Sequence, residues 1–152
     1  SLKFILNGGS CAIGLESTVV DLTSKVKILR PGLISPSDIS KVLNKKTNVY
    51  KGVKIIKAPG MLKRHYSPGI RIKLNQKKAK NNEAFIVFGK KYKKAKNIFN
   101  LSSKSNLNEA ARNLYKILRL IKKKNYKMIC VSLIPQTGIG LAINDRLSRA
   151  AK

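Results

Sequence analysis

Acidic side chains, aromatic rings and cysteines are all scarce in this sequence. Its 152 residues include only 6 Asp and Glu against 33 Lys and Arg, together with no Trp, one His and two Cys. Cys11 and Cys130 are too few and too far apart to form a disulfide scaffold or a metal cluster. No apolar run approaches the roughly 20 residues that cross a bilayer, and the first residues lack the apolar core of a secretory signal. These absences favour a soluble protein in a reducing, cytoplasmic setting, without a membrane partner.

The net charge of +27 is unevenly distributed along the chain. Residues 1–52 carry a net charge of +5, whereas residues 53–152 carry +22. Such a surface attracts polyanions, but aromatic residues are not interleaved with the basic clusters as a single-strand binder would need. Two interpretations stay open: a solvated lysine surface, or a basic α/β module that docks tRNA or another polyanion without catalysis of its own.

The first 50 residues have the pattern of strands, turns and one short helix. The apolar run 2–6 and the β-branched segments 17–22 and 26–30 predict strands. Ser35 or Ser37 can cap a helix that extends to Leu43. Together these elements would make a thin core for an independent domain. The stretch that follows, up to residue 69, shows little periodicity and is punctuated by Pro-Gly pairs, which indicates a linker.

A second pattern begins at residue 70. Strands are predicted over 70–74, 84–89, 97–101 and 128–133, and helical periodicity runs from Leu107 to Ile121. This alternation indicates a small α/β unit with parallel strands. The Gly138-Ile139-Gly140 turn opens a last helix. It is compatible with a close helix contact or with part of a phosphate-binding loop, although the third glycine of such a loop is missing.

Two short segments near the start of the chain carry groups suited to anions. Ser17 and Thr18 place adjacent hydroxyls at the beginning of a predicted strand, where they could bind phosphate or carboxylate oxygens. Arg30 ends the next strand just before Pro31-Gly32, so its planar fork would be presented from a rigid turn. Each feature also has a plainer interpretation, a strand-forming hydroxyl pair and a surface arginine.

A third segment lies in the predicted linker and holds the only histidine. Arg64 and His65 offer phosphate donors, and Tyr66 adds a ring and a hydroxyl. A loop with these groups could close over a nucleotide as a lid, or it could be a structured linker with a packed tyrosine. The sequence shows no metal-ligand spacing and no carboxylate pair, so no residue is assigned to a metal.

Taken in order, these segments resemble the Sua5 branch of the Sua5/YrdC family of threonylcarbamoyl-AMP synthases. The stretches that carry the resemblance are Asn7-Gly8-Gly9, Gly14-Leu15-Glu16-Ser17-Thr18-Val19-Val20-Asp21, Leu29-Arg30-Pro31-Gly32, Pro59-Gly60-Met61, Arg64-His65-Tyr66-Ser67-Pro68 and the tail 138–151. The resemblance implies three parts. Residues 1–50 would be the C-terminal part of a YrdC-like twisted α/β catalytic domain, 51–69 an interdomain linker or lid, and 70–152 a small Rossmann-like Sua5 domain.

The resemblance also implies an activity. Family members are nucleotidyltransferases that make threonylcarbamoyl-AMP and pyrophosphate from L-threonine, bicarbonate or CO₂ and ATP, with Mg²⁺ entering on the ATP. Other proteins then transfer the threonylcarbamoyl group to tRNA. By resemblance, Ser17 and Thr18 would bind threonine, and Arg30 would bind the nucleotide phosphates. The linker residues Arg64, His65 and Tyr66 would close on the nucleotide.

The match has gaps that bear on activity. The family's lysine-and-arginine motif and its Ser-x-Asn motif would precede Ser1, and they carry the main catalytic groups. Ala58 and Leu62 also depart from the usual linker pattern. We therefore expect this chain to be the latter part of a longer synthase and to be inactive by itself. The resemblance leaves the oligomeric state open, and a weak tRNA contact by the basic C-terminal part remains an alternative.

Overall fold

The computed structural model describes residues 3–9, 11–50 and 67–151. It has a mixed α/β fold, as predicted. Its elements in chain order are β1 (Val19–Asp21), β2 (Lys27–Arg30), α1 (Pro36–Leu43), β3 (Arg71–Lys73), β4 (Ala84–Val87), β5 (Ile98–Asn100), α2 (Leu107–Lys123), β6 (Met128–Val131) and α3 (Gly140–Ala150). None of the helices among these residues is long and apolar enough to span a membrane.

Strands β3 to β6 form a four-stranded sheet in the order β3-β6-β4-β5, and every neighbouring pair is parallel. All four residues of β4 are buried, because this strand lies inside the sheet and both of its faces are covered. Its continuous apolar run follows from that position. β3, within the strand predicted over 70–74, is an edge strand with exposed, buried and exposed residues in turn.

One face of the sheet carries the main core. There, β4 and β6 contribute Ile86, Ile129 and Val131, and α2 and α3 contribute Leu114 and Leu147 among others. The opposite face of the sheet carries a smaller cluster around Phe85, Val87 and Cys130. Tyr92 packs edge-on against Phe85, with 5.7 Å between the two ring centroids. Helix α2 buries Ala110, Ala111, Leu114, Leu118 and Ile121, the face that its periodicity predicted.

The N-terminal part is an antiparallel hairpin followed by a short helix. β1 pairs with β2, and the backbone at Asn48 and Tyr50 continues the pairing along Ile28. Ser35, one of the two predicted caps, starts α1 with a reciprocal capping box. Its hydroxyl accepts from the Asp38 amide at 3.3 Å, while the Asp38 carboxylate accepts from the Ser35 amide at 2.9 Å. The Ser35 hydroxyl also donates to Asp38 Oδ2 at 2.6 Å, and this bond, followed by that from the Ser35 amide, holds the pKa of Asp38 below its usual value.

The strand predicted over residues 2–6 is wrong for the residues that the structure describes. Residues 3–6 form no strand, and Phe4 and Leu6 are 92% and 101% exposed. A strand requires backbone hydrogen bonds to a neighbour, and none of the described residues pairs with this segment. After it, the Asn7 side-chain oxygen accepts from the Gly9 amide at 3.0 Å.

Candidate functional site

Two of the three segments singled out from the sequence meet in space. Arg30 Nε donates to the backbone carbonyl of Ser17 at 3.0 Å, and Arg30 Nη2 donates to the Ser17 hydroxyl at 3.3 Å. The antiparallel pairing of β1 with β2 sets this contact, because it places Arg30 opposite Val19, two residues beyond Ser17. A hydroxyl and a guanidinium therefore lie side by side. We call this group, Ser17, Thr18 and Arg30, the hydroxyl–arginine corner.

The turn after Arg30 packs tightly on the same segment. A Cβ on Gly32 would lie 2.3 Å from the Thr18 amide nitrogen and 2.6 Å from the Ser17 carbonyl carbon, so a side chain is sterically excluded there. The Thr18 hydroxyl donates to the backbone carbonyl of Ile34 at 2.8 Å. The Pro31-Gly32 turn thus fixes the backbone of the corner. The Thr18 hydroxyl proton is already used in the hydrogen bond to Ile34.

The corner offers donors to an anion. Ser17 is exposed and Arg30 is half-buried, so solvent reaches both side chains. Guanidinium N–H groups and a hydroxyl can donate to carboxylate or phosphate oxygens, and a charged donor strengthens each such bond. The N-terminal part also has a cavity of about 1080 Å³, lined by four lysines, Lys25, Lys27, Lys45 and Lys46, and by the Tyr50 ring. These four lysines add positive charge to the N-terminal part.

The third predicted segment lies outside the described residues. This applies to Arg64, His65 and Tyr66, and to most of the predicted linker at 51–69. Their proposed role over the nucleotide stays a prediction, and so do the domain boundaries at residues 50 and 70.

The structure adds one group that the sequence alone did not assign to the corner. Arg146, in α3, reaches Glu16 and the Pro31 carbonyl, which are the chain neighbours of Ser17 and Arg30. The sequence carried no signal for this contact, because 130 residues separate Arg146 from Glu16. The Gly138-Ile139-Gly140 turn is instead a helix entry. Gly140 starts α3 so close to the Pro135 carbonyl oxygen that a Cβ would lie 2.1 Å from it.

Fold and corner together define the class of protein: a parallel α/β domain packed against a hairpin in which the Arg30 guanidinium lies beside the Ser17 hydroxyl. Residues 34–152 match the family profile described as the threonylcarbamoyl-AMP synthase C-terminal domain. The chain belongs to the threonylcarbamoyl-AMP synthase family, which confirms the resemblance noted in the sequence.

Similar proteins agree with this assignment. A threonylcarbamoyl-AMP synthase of Pyrococcus abyssi is 33% identical over 99% of this chain and 49% of its own length. The Bacillus subtilis protein of the same name is 28% identical over 97% of this chain and 48% of its own length. The chain thus spans about half the length of the curated relatives it matches.

Solved structures show the same fold. The crystal structure of P. abyssi Sua5 complexed with L-threonine superposes with a TM-score of 0.80 at 30% identity, covering 95% of this chain and 48% of that protein. A P. abyssi Sua5 variant in which an adjacent His and Tyr are both replaced by Ala superposes with a TM-score of 0.75 at 28% identity, covering 95% of this chain and 47% of that protein.

Proposed function

We propose that this chain forms the C-terminal half of an L-threonylcarbamoyladenylate synthase. The complete enzyme would make threonylcarbamoyl-AMP and pyrophosphate from L-threonine, bicarbonate or CO₂ and ATP, in the cytoplasm, for the threonylcarbamoyladenosine modification of tRNA. The observation that carries the proposal is the contact between Arg30 and Ser17 in a chain of this family. By itself the chain would be inactive, since it spans about half of its relatives.

In this proposal the corner binds both threonine and the nucleotide phosphates. Ser17 and Thr18 would contact threonine, Ser17 through its hydroxyl and Thr18 through its backbone, because the Thr18 hydroxyl already donates to Ile34. Arg30 would bind the nucleotide phosphates. The threonine complex of the P. abyssi protein supports a threonine site in this family.

The linker residues would close on the nucleotide. Arg64 would add charge, and His65 and Tyr66 would cover the site. The P. abyssi variant that lacks an adjacent His and Tyr supports a role for this pair, since the only histidine of this chain is followed directly by a tyrosine.

The chemistry requires fixed positive charge more than a nucleophilic side chain. An oxygen of the carbamate formed from threonine and bicarbonate attacks the α-phosphorus of ATP. The bond from the α-phosphorus to the bridging oxygen breaks, and pyrophosphate leaves with that electron pair. Negative charge develops on the phosphoryl oxygens in the transition state, and a preorganised guanidinium stabilises it.

Mg²⁺ would enter with ATP and be held mainly by its phosphates, an arrangement that needs few protein ligands. The donor set of the corner fits phosphate rather than metal, because guanidinium and hydroxyl groups donate protons. Within ranges 3–9, 11–50 and 67–151, no group of three or more His, Cys, Asp or Glu could hold a metal ion.

The missing partner of this chain would be the remaining half of the synthase. Phe4, Ile5 and Leu6 are strongly exposed at one end of the described chain, and Val42 is exposed on α1. The run Phe4-Ile5-Leu6 is an exposed apolar surface of the kind that marks an interface. We propose that the N-terminal half of the enzyme covers it and that the product then passes to the tRNA threonylcarbamoyl transferase machinery.

The test uses the synthase that joins this chain to its N-terminal half. Threonine-dependent pyrophosphate release is measured for the wild type, Arg30→Ala, Ser17→Ala and the control Arg119→Ala, whose arginine is exposed on α2. Loss of a charged transition-state donor should lower kcat/KM by about 100-fold for Arg30→Ala, with the control unchanged. Equal rates for Arg30→Ala and the control would refute the role of Arg30. Absence of threonine-dependent release in the wild type would refute the function.

A second candidate function is the docking of tRNA or another polyanion, and one observation favours it. The segment 77–96 carries eight exposed lysines against a single acid, Glu83. We call it the lysine-dense segment. Its lysines are Lys77, Lys78, Lys80, Lys90, Lys91, Lys93, Lys94 and Lys96.

The test measures tRNA binding by this chain through fluorescence anisotropy at rising KCl concentrations. It distinguishes docking at the lysine-dense segment from attraction by a general lysine surface. Four Lys→Gln changes at 90, 91, 93 and 94 should weaken binding and flatten its salt dependence. The matched control changes the exposed lysines at 122, 123, 124 and 127. Equal losses in the two variants would leave only the general lysine surface.

A further inference from the structure

Arg146 is an unusual side chain for a chain with so many exposed cations. It is 1% exposed, the most buried charged residue in the described part of the chain. Burying a guanidinium is costly unless its donors are all used. Here Nε donates to Glu16 Oε2 at 3.0 Å, Nη1 to Asp145 Oδ2 at 2.7 Å and Nη2 to the Pro31 carbonyl oxygen at 3.1 Å. Each of its three nitrogens therefore has an acceptor.

Two of these acceptors, Glu16 and Pro31, flank the hydroxyl–arginine corner along the chain. Glu16 immediately precedes Ser17, and Pro31 immediately follows Arg30. One planar group in α3 therefore holds both chain segments that form the corner. Since the three nitrogens of a guanidinium lie at fixed spacing, the two segments are also held at a set distance from each other.

The first of these segments has further support from the C-terminal sheet domain. The Tyr115 hydroxyl, on α2, approaches both carboxylate oxygens of Glu16 at 3.3 and 3.4 Å. Leu15 packs against the main core. Gly14 lies so close to α2 that a Cβ would be 2.6 Å from the Arg112 Cα. Helices α2 and α3 therefore hold the corner in place, in addition to the hairpin that carries it.

Arg146 also sets the charge beside the corner. Glu16 is about one-third exposed, at 34% of its side chain, so without a cation its negative charge would lie next to Ser17. That charge would repel a carboxylate or phosphate approaching the hydroxyl. Pairing with Arg146 offsets the repulsion.

We infer that Arg146 is a positioning residue for the adenylation reaction: it fixes Ser17 relative to Arg30 and neutralises Glu16. This inference rests on the proposed function and deepens it, because it gives the C-terminal domain a specific task in a site formed by the N-terminal part. Arg146 itself need not touch substrate.

The experiment compares four variants of the joined synthase: Arg146→Gln, Arg146→Lys, Glu16→Ala and the control Arg149→Gln. Arg149 lies on the same helix and also donates to Asp145, at 3.0 Å. A displacement of about 1 Å at a reacting group costs up to about 100-fold in rate. We expect kcat/KM for threonine to fall about 10- to 100-fold in Arg146→Gln, with a raised KM, and the control to match the wild type.

Lysine at 146 should recover part of the loss. It restores the charge near Glu16 but cannot hold Glu16 and the Pro31 carbonyl with one planar fork. A purely structural role for Arg146 would reduce the folded fraction, and hence kcat, while leaving the KM for threonine unchanged. A KM equal to that of Arg149→Gln would therefore overturn the inference. If Arg146→Gln does not fold, the KM for threonine of Glu16→Ala is compared with that of Arg149→Gln instead, and equal values overturn the inference.

A second readout does not depend on activity. In this chain, amide hydrogen exchange at Ser17 and Thr18 should be faster in Arg146→Gln than in Arg149→Gln. Unchanged exchange would overturn the positioning role. If the wild-type synthase released no pyrophosphate, the proposed function would fail, and the exchange data would still judge the positioning role separately.

Discussion

At the scale of single residues, Gly32 is where the geometry of the corner is most sensitive. A Cβ there would lie within 2.8 Å of three backbone atoms of residues 16–18, and backbone cannot rotate away as a side chain can. Gly32→Ala should therefore lower the free energy of unfolding by about 1–3 kcal/mol and displace Ser17. Urea denaturation measures the first effect.

Gly8→Ala is the matched control for this prediction. A Cβ on Gly8 meets nothing within 4 Å, so the free energy of unfolding should change by no more than about 0.5 kcal/mol. Similar losses for the two variants would mean that the close approach of Gly32 to Thr18 does not exist in solution.

Cys130 is a second residue with a defined environment. It is buried in the sheet, and its thiol donates to Glu83 Oε2 at 3.4 Å. Burial, and then the hydrogen bond to Glu83, raises the pKa of the Cys130 thiol. The Lys80 amide, which donates to the same carboxylate oxygen at 2.9 Å, is the main cause that lowers the pKa of Glu83.

The raised pKa of Cys130 predicts a loss of stability at alkaline pH. The unfolded thiol ionises near pH 8.5, while the folded thiol stays neutral. Its contribution to stability is therefore complete below about pH 8.5 and is lost as the pH rises toward the folded-state pKa. The difference in free energy of unfolding between wild type and Cys130→Ala, measured across this range, should fall. A constant difference would contradict the raised pKa.

At the scale of elements, α2 joins the sheet to the corner. Leu114 is fully buried in this helix, whereas Leu120, on the same helix, is 42% exposed. Leu114→Ala should lower the free energy of unfolding by about 2–5 kcal/mol, because it removes buried contacts and leaves a cavity. Chemical denaturation of the full chain measures this loss.

The same truncation at Leu120 is the control, with an expected loss of about 0.5 kcal/mol or less. If Leu120→Ala were as destabilising as Leu114→Ala, the buried face of α2 would be assigned incorrectly. This pair tests the helical periodicity that predicted the face from sequence.

At the scale of the whole molecule, the described chain has a well-packed C-terminal domain and an incompletely covered N-terminal part. Helix α1 buries none of its residues, and Phe4 and Leu6 are exposed. Exposed apolar surface of this kind binds dyes and promotes association. The isolated chain should therefore enhance the fluorescence of an apolar dye such as ANS.

Two substitutions test this feature directly. Phe4→Ser with Leu6→Ser should reduce the ANS signal while changing the free energy of unfolding by no more than about 0.5 kcal/mol, since neither side chain is packed. Lys3→Ser is the control and should leave the dye signal unchanged. Addition of the N-terminal half of the synthase should reduce the signal of the wild type. A signal insensitive to all of these changes would mean that residues 4–6 are not the exposed apolar surface.

Local sequence determined most of the elements in this protein. The apolar spacing of α2, the continuous run of β4 and a serine cap of α1, at Ser35 or Ser37, each act within a few residues, so each was predictable from the chain alone. The resemblance carried by Ser17, Arg30 and their neighbours predicted the family for the same reason, because its motifs are short and contiguous. The segment 2–6 was predicted incorrectly, since a strand depends on a neighbour that local sequence does not specify.

Only the tertiary structure decided which strands and which distant residues are neighbours. The strand order β3-β6-β4-β5 places the last strand between earlier ones, and no local pattern encodes that insertion. The contact of Arg30 with Ser17 follows from strand pairing, and the hold of Arg146 on Glu16 joins residues 130 positions apart. Such contacts form because the packing of α2 and α3 on the sheet brings distant segments together. The sequence therefore names the candidate anion-binding groups, and the folded packing of the two parts gives them their positions.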